Sequence, residues 1–567
     1  MAPEKMARET PPPRSKLAAA HRDVPHVAVA WRLSAGMLCF WLVCGLGAQA
    51  QNEVTLESID EGSGAPVPSR IEFLKSAKRL KVDRKIPTYG DNWLCDGTLP
   101  LQPSTGDFEF MARRGPEFKE IRGGFTIEGR AKDSVVIAIP RAVDMHAEDW
   151  YSGDLGSEIA PESSSLWQTA EVLDMVVDSS LAPAPATPKK TASGRAKSQP
   201  DSPSADTDPN RVGYRWKSSS SEFRSPELNF AIHRPGGEAS SEKMNTPSEA
   251  LQRLRESTPD ANAILEVTQL LSRDVPILVA QPNMKLARVL NSGQRPKSDD
   301  ALLHPKRESP EEFARLVATF GKDKHNVSLL APIDPQERIR FKSQRGAGML
   351  AEHIYWQLLE AGLRIAPSAA SGFGRGDTHL GYNRTYAYID SEPSADAWWK
   401  AAKDGSLVVT NGPLLRALIN GVPPGAVQSV YDSQPLPLSI NVSLAVREPV
   451  DYLDVIFNGE TLYSAKLEEH YRKGEFPEIS IDRSGWLVIR VITEHDAGYR
   501  MASTAPFYYE FNEKPRISRR ACEFFQTWLQ RSEARILADA GTADAYRELL
   551  ESANRFWEER LQQANAP

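Results

Sequence analysis

Apolar and polar residues alternate along two well separated parts of the chain, as they do in strands that bury one face. The first part spans residues 85–145, and its alternating apolar positions are Phe108, Phe110, Phe125, Ile127, Val135, Ile137 and Ile139. In the second part, 391–515, residues 438–446 alternate strictly and residues 486–492 form a further apolar run. Asn458-Gly459 separates two more strand-like runs, as a two-residue hairpin turn does. We predict a small β-sandwich at 85–145 and a second β-sandwich at 391–515.

Between these β regions, residues 146–390 mix apolar strands with amphipathic helices. Residues 275–280 (VPILVA) form a continuous apolar run, which is typical of a strand covered on both faces. Further along, helical spacing relates Met349, Leu350, Ile354, Leu358 and Leu359, and Gly362 follows as a helix stop. This part of the chain is therefore predicted to be α/β.

Two further segments complete the organisation. Residues 181–210 contain no Leu, Ile, Val or aromatic residue after Leu181, so they cannot bury a core, and we predict a disordered insertion in the α/β domain. Residues 516–567 contain two amphipathic helices, the first capped by Ser518 and the two separated at Gly541-Thr542. Their apolar faces are expected to pack against the rest of the protein.

The first 50 residues carry the features of an export signal with a long leader. Arg32 precedes an apolar run at 33–47, and Ala48-Gln49-Ala50 offers an A-x-A cleavage site. The run is shorter than the roughly 20 residues that a membrane-spanning helix needs. We predict a signal peptide cleaved after Ala50 and a periplasmic or extracellular protein with no membrane span after cleavage. An uncleaved N-terminal anchor is the alternative.

Composition narrows the range of partners. The chain has 567 residues, with 68 Lys and Arg against 75 Asp and Glu, which gives a net charge of −7. This diffuse acidic excess provides no electrostatic basis for binding nucleic acid. Signal removal would leave Cys95 and Cys522, and the spacing leaves their pairing open. Because there is no C-x-x-C pair, a structural zinc site is not indicated.

Motifs of common catalytic sites do not occur in this chain. It contains no G-x-x-x-x-G-K-[ST], H-E-x-x-H or G-x-S-x-G sequence, and its histidines form no H-x-H pair. Two glycine-rich segments, 150–158 and 368–388, combine polar and aromatic residues after apolar runs. Such segments are typical of loops at the rim of a pocket.

Several sequence blocks are specific in their order and content when taken together. The blocks are WLCDGTL at 93–99, RRGPEFKEIRGGFTIEG at 113–129, WYSGDL at 150–155, VPILVAQPNMKLARVLNSG at 275–293, YWQLLEAGLRIAPSAASG at 355–372, GYNRTYAYID at 381–390, AWWKAAKDGSLVVTNGPLL at 397–415, INGVPPG at 419–425 and ISRRACEFFQTWLQRSEARI at 517–536. Together they resemble the CehA/McbA family of PHP-like metallohydrolases. The resemblance implies a carboxypeptidase-regulatory-like β domain, a degenerate PHP-type (βα) barrel at 146–390, a C-terminal β-sandwich and a helical tail.

The chain departs from the resembling family where that family implies a metal site. After the Gly-Asp-Leu step the resemblance implies His-x-His, but this chain has Gly156-Ser157-Glu158. Imidazoles bind zinc and manganese strongly, whereas glycine has no side chain and a serine hydroxyl is a weak ligand. We therefore expect a catalytically degenerate relative that needs no cofactor and binds a small molecule or an extracytoplasmic protein. The polar anchors of its pocket would be Asp154, Asn383, Arg384 and Asn411. A purely structural role for Asn383 and Arg384 is equally open.

The alternative hypothesis is an active hydrolase of esters, carbamates or phosphoesters with substituted metal ligands. Its candidate ligands for Zn²⁺, Mn²⁺ or Mg²⁺ are Glu158, His353, Asp377 and His379, joined by His146 and Asp154. Metal-bound water would then attack the substrate. The two hypotheses differ in whether these side chains converge on one point. A third class, an extracellular adhesion protein, would rest on the β domains.

Overall fold

The computed structural model describes residues 52–129, 131–158, 161–179, 214–225, 227–235, 244–291, 331–334, 341, 345–374, 378–431, 434–473, 476–494 and 498–567. The predicted signal peptide at 1–50 and the predicted insertion at 181–210 lie outside these residues. Within them the protein is mixed α/β, rich in strands, and contains several sheets.

The N-terminal part forms a nine-stranded sheet. Its strands are β1 (Glu53–Asp60), β2 (Pro68–Lys75), β3 (Leu80–Val82), β4 (Thr88–Tyr89), β5 (Asn92–Asp96), β6 (Thr98–Pro103), β7 (Gly106–Arg113), β8 (Ile121–Ile127) and β9 (Lys132–Ile139). Their order is β8-β7-β2-β5-β6-β1-β9, with β3 on β6 and β4 on β5. The alternation in β7 to β9 is confirmed, and Phe108 pairs with Phe125 at a ring distance of 5.1 Å. Strands β1 to β3 precede residue 85.

A longer sheet connects the α/β region with the C-terminal β region. The remaining strands are β10 (Trp150–Ser157), β11 (Met175–Asp178), β12 (Trp216–Arg224), β13 (Asn229–His233), β14 (Ile264–Val267), β15 (Met284–Leu290), β16 (Ala366–Ala369), β17 (Arg384–Tyr388), β18 (Leu407–Thr410), β19 (Leu414–Ile419), β20 (Val427–Val430), β21 (Leu436–Pro437), β22 (Ile440–Ala445), β23 (Val450–Phe457), β24 (Glu460–Ala465), β25 (Ser480–Ile481), β26 (Gly485–Thr493), β27 (Met501–Thr504) and β28 (Phe507–Phe511). The long sheet has the order β16-β15-β14-β13-β12-β11-β10-β17-β18-β27-β26-β23-β24, and β28 joins β26 to β20. Strands β19 and β22 pair separately, as do β21 and β25.

The α/β part of the long sheet does not close into a barrel within the described residues. Strands β10, β11 and β12 are parallel, as are β14, β15 and β16. Strand β13 runs antiparallel to both of its neighbours, so it interrupts the alternation of strand and helix that a (βα) barrel repeats. Strand β16 curls back against β18, but no described ladder joins it to β10 or β17.

Helices cover this sheet and form the C-terminal tail. They are α1 (Pro161–Ala170), α2 (Pro247–Ser257), α3 (Val275–Leu278), α4 (Gly346–Glu360), α5 (Ala395–Asp404), α6 (Leu467–Lys473), α7 (Arg519–Leu537) and α8 (Ala540–Gln563). The predicted helices α4, α7 and α8 are confirmed. The Ser518 side chain caps α7 by accepting from the amide of Ala521, 3.3 Å away. The second tail helix begins at its cap Asp539, so the break falls before Gly541-Thr542.

The prediction of a strand at 275–280 is wrong, because residues 275–278 form helix α3. A short, fully buried apolar run has no polar face to reveal its period, so helix and strand look alike in sequence. Pro276 lies in the first turn of α3, where its missing amide hydrogen costs nothing. The tail covers α3, since the Trp557 indole donates to the Pro276 carbonyl, 2.9 Å away.

The C-terminal strand predictions are confirmed. Strand β22 occupies the alternating segment and β26 the run at 486–492. Asn458 and Gly459 connect β23 to β24 with φ of 53° and 78°. Both angles lie in the left-handed region that a type I′ turn requires, which is why Asn-Gly is favoured there.

The two described cysteines are not paired. Cys95 lies in the core of the first sheet, whereas Cys522 lies under the tail helices, and both are free and buried. Burial raises the pKa of both thiols to about 11. None of the helices described is long and apolar enough to cross a membrane.

Candidate functional site

A cavity of about 300 Å³ lies where the first sheet, the long sheet and the C-terminal strands meet. Residues at the end of β7, before β17, after β18, after β22 and before β27 contribute to its wall. Its arginines are Arg70, Arg113, Arg384, Arg447 and Arg500, and its glutamates are Glu120, Glu171 and Glu448. The cavity is therefore rich in charge, with arginines in excess.

Two of the arginines share a carboxylate on the wall formed by the first sheet. The Arg113 guanidinium lies between Glu72 at 2.5 Å and Glu120 at 3.2 Å. Arg447 contacts Glu120 at 3.0 Å and also donates to the carbonyl oxygen of Gly115. Burial lowers the pKa of Arg447, and its arginine neighbours lower it further against the opposing effect of Glu120.

Arg500 also lines the cavity. Its Nη1 pairs with Glu448 at 2.5 Å, and its guanidinium lies 5.8 Å from the centre of the Tyr382 ring. Its Nε is buried, and among the described residues it has no hydrogen-bond partner. A buried donor without a partner costs about 1–3 kcal/mol, so this nitrogen marks a position where an acceptor would be favourable.

Two of the four predicted anchors line this cavity. Arg384 is buried and donates to the carbonyl oxygens of Gly381, Val172 and Glu171 at 2.6–3.0 Å. The Asn411 side chain donates to the carbonyl of Tyr499 and accepts from the amide of Met501. Because these bonds go to the backbone, both residues shape the cavity by fixing its loops.

The other two anchors do not line it. Asp154 is completely buried and accepts from the amides of Ser371 at 3.0 Å, Gly381 at 2.9 Å and Gly156 at 3.3 Å, and from the Ser371 hydroxyl. Burial raises its pKa, while these hydrogen bonds oppose the shift. Asn383 donates to the Ala370 carbonyl at 2.8 Å. Both side chains secure the loop that leads into β17.

The metal-ligand candidates are dispersed. His379 lines the arginine cavity, whereas His353 lines a second, open cavity between α4 and α7. The Glu158 carboxylate lies 3.8 Å from Arg224, and Asp377 lies outside the described residues. His146 pairs with Asp174 at 2.9 Å. In the part of the chain that is described, no three His, Cys, Asp or Glu side chains form a group that could hold a metal ion. The described candidates therefore do not fit a shared metal site.

A buried network of charged side chains connects strands β12 to β16 and was not predicted from the sequence. Glu266 accepts from His233 at 3.0 Å and from Arg288 at 2.6 Å, and the Ser368 hydroxyl also contacts it. Arg288 reaches Glu222 at 3.0 Å. Single charged residues inside apolar strands carry no local signal of a partner, because the partners lie on other strands.

Four of the five arginines that line the cavity were also not predicted from the sequence. Arg70 and Arg113 come from β2 and β7, while Arg447 and Arg500 come from loops more than 300 positions later in the chain. No motif joins them, and only the register of the sheets brings them together.

Fold and site define a strand-rich α/β protein with an arginine-lined cavity at a junction of sheets. Comparisons with models of protein families, with curated proteins and with solved structures give no match for this chain.

His146, which lies just before β10, is predicted to make the free energy of unfolding depend on pH. Burial alone lowers its pKa, but the charge and hydrogen bond of Asp174, together with the charges of Glu117 and Asp144, outweigh burial and raise the pKa to about 9. The resulting stabilisation is complete below the unfolded pKa of about 6.5 and is lost as the pH rises through 9. We expect the free energy of unfolding to fall by about 2–3 kcal/mol over this range.

The measurement is urea unfolding between pH 6 and 9.5 for the wild type and His146→Gln. Glutamine retains hydrogen-bonding capacity without the titration, so its curve should be flatter in this window. Parallel curves for the two proteins would contradict the assignment.

Proposed function

We propose that this protein is an exported binding protein, a catalytically degenerate relative of PHP-like metallohydrolases, and that it holds a small molecule in the arginine-lined cavity. The observation that carries the proposal is the cavity itself. Its volume of about 300 Å³ is at the lower end of the roughly 300–1,000 Å³ typical of ligand pockets. Loops from three sheets converge there, and their backbone is fixed by Arg384 and Asn411.

The dispersion of the metal-ligand candidates favours binding over the alternative of a metal-dependent hydrolase. His353 and His379 belong to different cavities, and Glu158 lies beside Arg224. A catalytic metal needs three or more ligands around one ion. The cavity offers guanidinium groups instead, which bind and orient a ligand without activating water.

The test is a thermal-shift screen of the purified protein against small molecules of negative, neutral and positive charge, followed by calorimetry on those that stabilise it. We expect at least one class to raise the unfolding midpoint. Pro116→Trp should abolish the shift, because Pro116 is a partly exposed residue of the cavity wall and an indole there fills the space.

The matched control is Pro100→Trp, which places the same side chain on an exposed position of β6, away from the cavity. It should leave binding unchanged. If no compound of any charge stabilises the wild type, or if Pro116→Trp binds as well as Pro100→Trp, the proposed function is wrong.

A further inference from the structure

The described cavity wall carries more guanidinium groups than carboxylates. Five arginines line it against three glutamates, and Arg113 takes a fourth carboxylate, Glu72, from behind the wall. With all four carboxylates ionised, these described groups alone carry one more guanidinium charge than carboxylate charges. Arg114, next to the lining residue Gly115, adds a buried guanidinium whose Nε and Nη2 have no hydrogen-bond partner among the described residues.

Among the arginines described in the cavity wall, Arg500 has a buried donor without a hydrogen-bond partner. Glu448 pairs with its Nη1, and its buried Nε has no hydrogen-bond partner among the described residues. Nε and Nη2 together form one edge of the guanidinium. This edge faces Gly412, because a Cβ built on Gly412 would lie 3.1 Å from Nε and 3.2 Å from Nη2. A residue without a side chain thus keeps the edge open. The paired nitrogens of a guanidinium edge match the two oxygens of a carboxylate or phosphate.

We propose that the ligand of this cavity is a small anion, whose carboxylate or phosphate group binds the Nε–Nη2 edge of Arg500 in the cavity that Arg113 and Arg447 also line. The inference rests on the proposed function and specifies its ligand class. The small volume favours a short organic acid or inorganic phosphate over a nucleotide.

The electrostatics of the neighbouring groups agree with this geometry. Burial lowers the pKa values of Arg70 and Arg447, and in each case a nearby arginine lowers the pKa further. An anion between these groups would offset that mutual repulsion. Because Arg70 and Arg113 are buried, their attraction for an anion is less screened than at an exposed site.

The experiment compares matched ligands that differ in charge. Succinate, succinamide and inorganic phosphate are titrated into the protein by calorimetry at constant ionic strength, with unfolding midpoints recorded in parallel. We expect succinate or phosphate to bind and raise the midpoint by about 2–4 °C, whereas succinamide leaves it unchanged. The stronger of the two acids identifies which oxyanion the site prefers.

Two variants locate the binding group. Arg500→Gln removes the guanidinium and should weaken anion binding at least about tenfold. Gly412→Ala keeps every charge but places a methyl group against the Nε–Nη2 edge, so it should weaken binding to a similar degree. Gly412 does not have a positive φ, so alanine there is not strained by its backbone. If Arg500→Gln does not fold, the anion affinity of Gly412→Ala alone tests whether the anion binds at Arg500. The control Arg483→Gln removes an exposed arginine elsewhere and should bind as the wild type does.

The outcomes separate this inference from the proposed function. Succinamide binding as tightly as succinate would overturn the anion assignment and leave a binding protein. Anion binding that survives both Arg500→Gln and Gly412→Ala would also overturn it. The proposed function itself fails if no compound of any charge binds, or if Pro116→Trp binds as well as Pro100→Trp.

Discussion

Replacing Asp154 with alanine is expected to lower the free energy of unfolding by about 3–5 kcal/mol. The carboxylate accepts three backbone amides and one hydroxyl, and no solvent reaches it to replace those bonds. The alanine variant leaves these donors buried without an acceptor. Because two of the amides belong to Ser371 and Gly381, the loop before β17 should loosen first.

Urea unfolding measures this loss, and Asp133→Ala is the matched control. Asp133 is an exposed residue of β9 whose carboxylate accepts from the Ser134 amide, so its removal should change stability by less than about 0.5 kcal/mol. Asp154 was predicted as a ligand anchor, but its side chain does not line the cavity. If Asp154→Ala keeps full stability and loses ligand binding, the structural role is wrong and the anchor role is restored.

Replacing Arg288 with methionine is expected to lower the free energy of unfolding by about 3–5 kcal/mol at neutral pH. Burial alone raises the pKa values of Glu222 and Glu266, but Arg288, together with Arg224 at Glu222 and His233 at Glu266, outweighs burial and lowers both. Without the guanidinium, two buried carboxylates lose their main counter-charge. Their remaining contacts, among them His233 at Glu266 and Arg224 at Glu222, compensate only in part.

The pH dependence distinguishes this network from ordinary packing. In the wild type the carboxylates contribute stability above their unfolded pKa of about 4.3, and this contribution is lost as the pH falls through the lowered folded values. In Arg288→Met the two carboxylates protonate more readily. The difference in the free energy of unfolding between wild type and variant should therefore shrink towards pH 5. Urea unfolding at pH 5 and pH 7.5 measures this difference. If the difference is the same at both pH values, the ionic explanation is wrong.

A double-mutant cycle of Arg288→Met with Glu266→Gln gives the coupling between the two groups directly. We expect a coupling free energy of about 1–3 kcal/mol, since the pair is buried and in contact. Arg490, which contacts Glu352 and Asp454 in a less buried position, is the matched comparison and should show weaker coupling. Simple additivity at Arg288 and Glu266 would show that neither charge depends on the other.

Local patterns predicted much of the secondary structure because their cause is local. Alternation over Phe108 and Phe110 marks a strand with one buried face, and Asn458-Gly459 marks a turn that needs two positive φ angles. The amphipathic spacing in α4, α7 and α8 follows from the helical repeat. The same reasoning failed at 275–280, where every side chain is buried and no face contrasts with another.

The candidate site was predicted only in outline. The polar loop at 368–388 does help to build the cavity, through Gly381, Tyr382 and Arg384. Its polar side chains were expected to face a ligand, yet Asn383 and Arg384 donate to backbone carbonyls. A sequence gives the type of a polar residue but not its partner, and a buried backbone carbonyl competes with any ligand for the same donor.

By itself, the sequence determined several strands of the β regions, the two helices of the tail, the absence of common catalytic motifs, and the glycine-serine-glutamate step at 156–158. Only the tertiary structure decided that β13 interrupts the parallel strands, that His353 and His379 belong to different cavities, and that Arg113, Arg447 and Arg500 share one. The physical reason is the separation along the chain over which each effect acts. Propensity and amphipathic pattern act over a few residues, whereas a cavity and its electrostatic field arise from sheet register and packing between segments hundreds of positions apart.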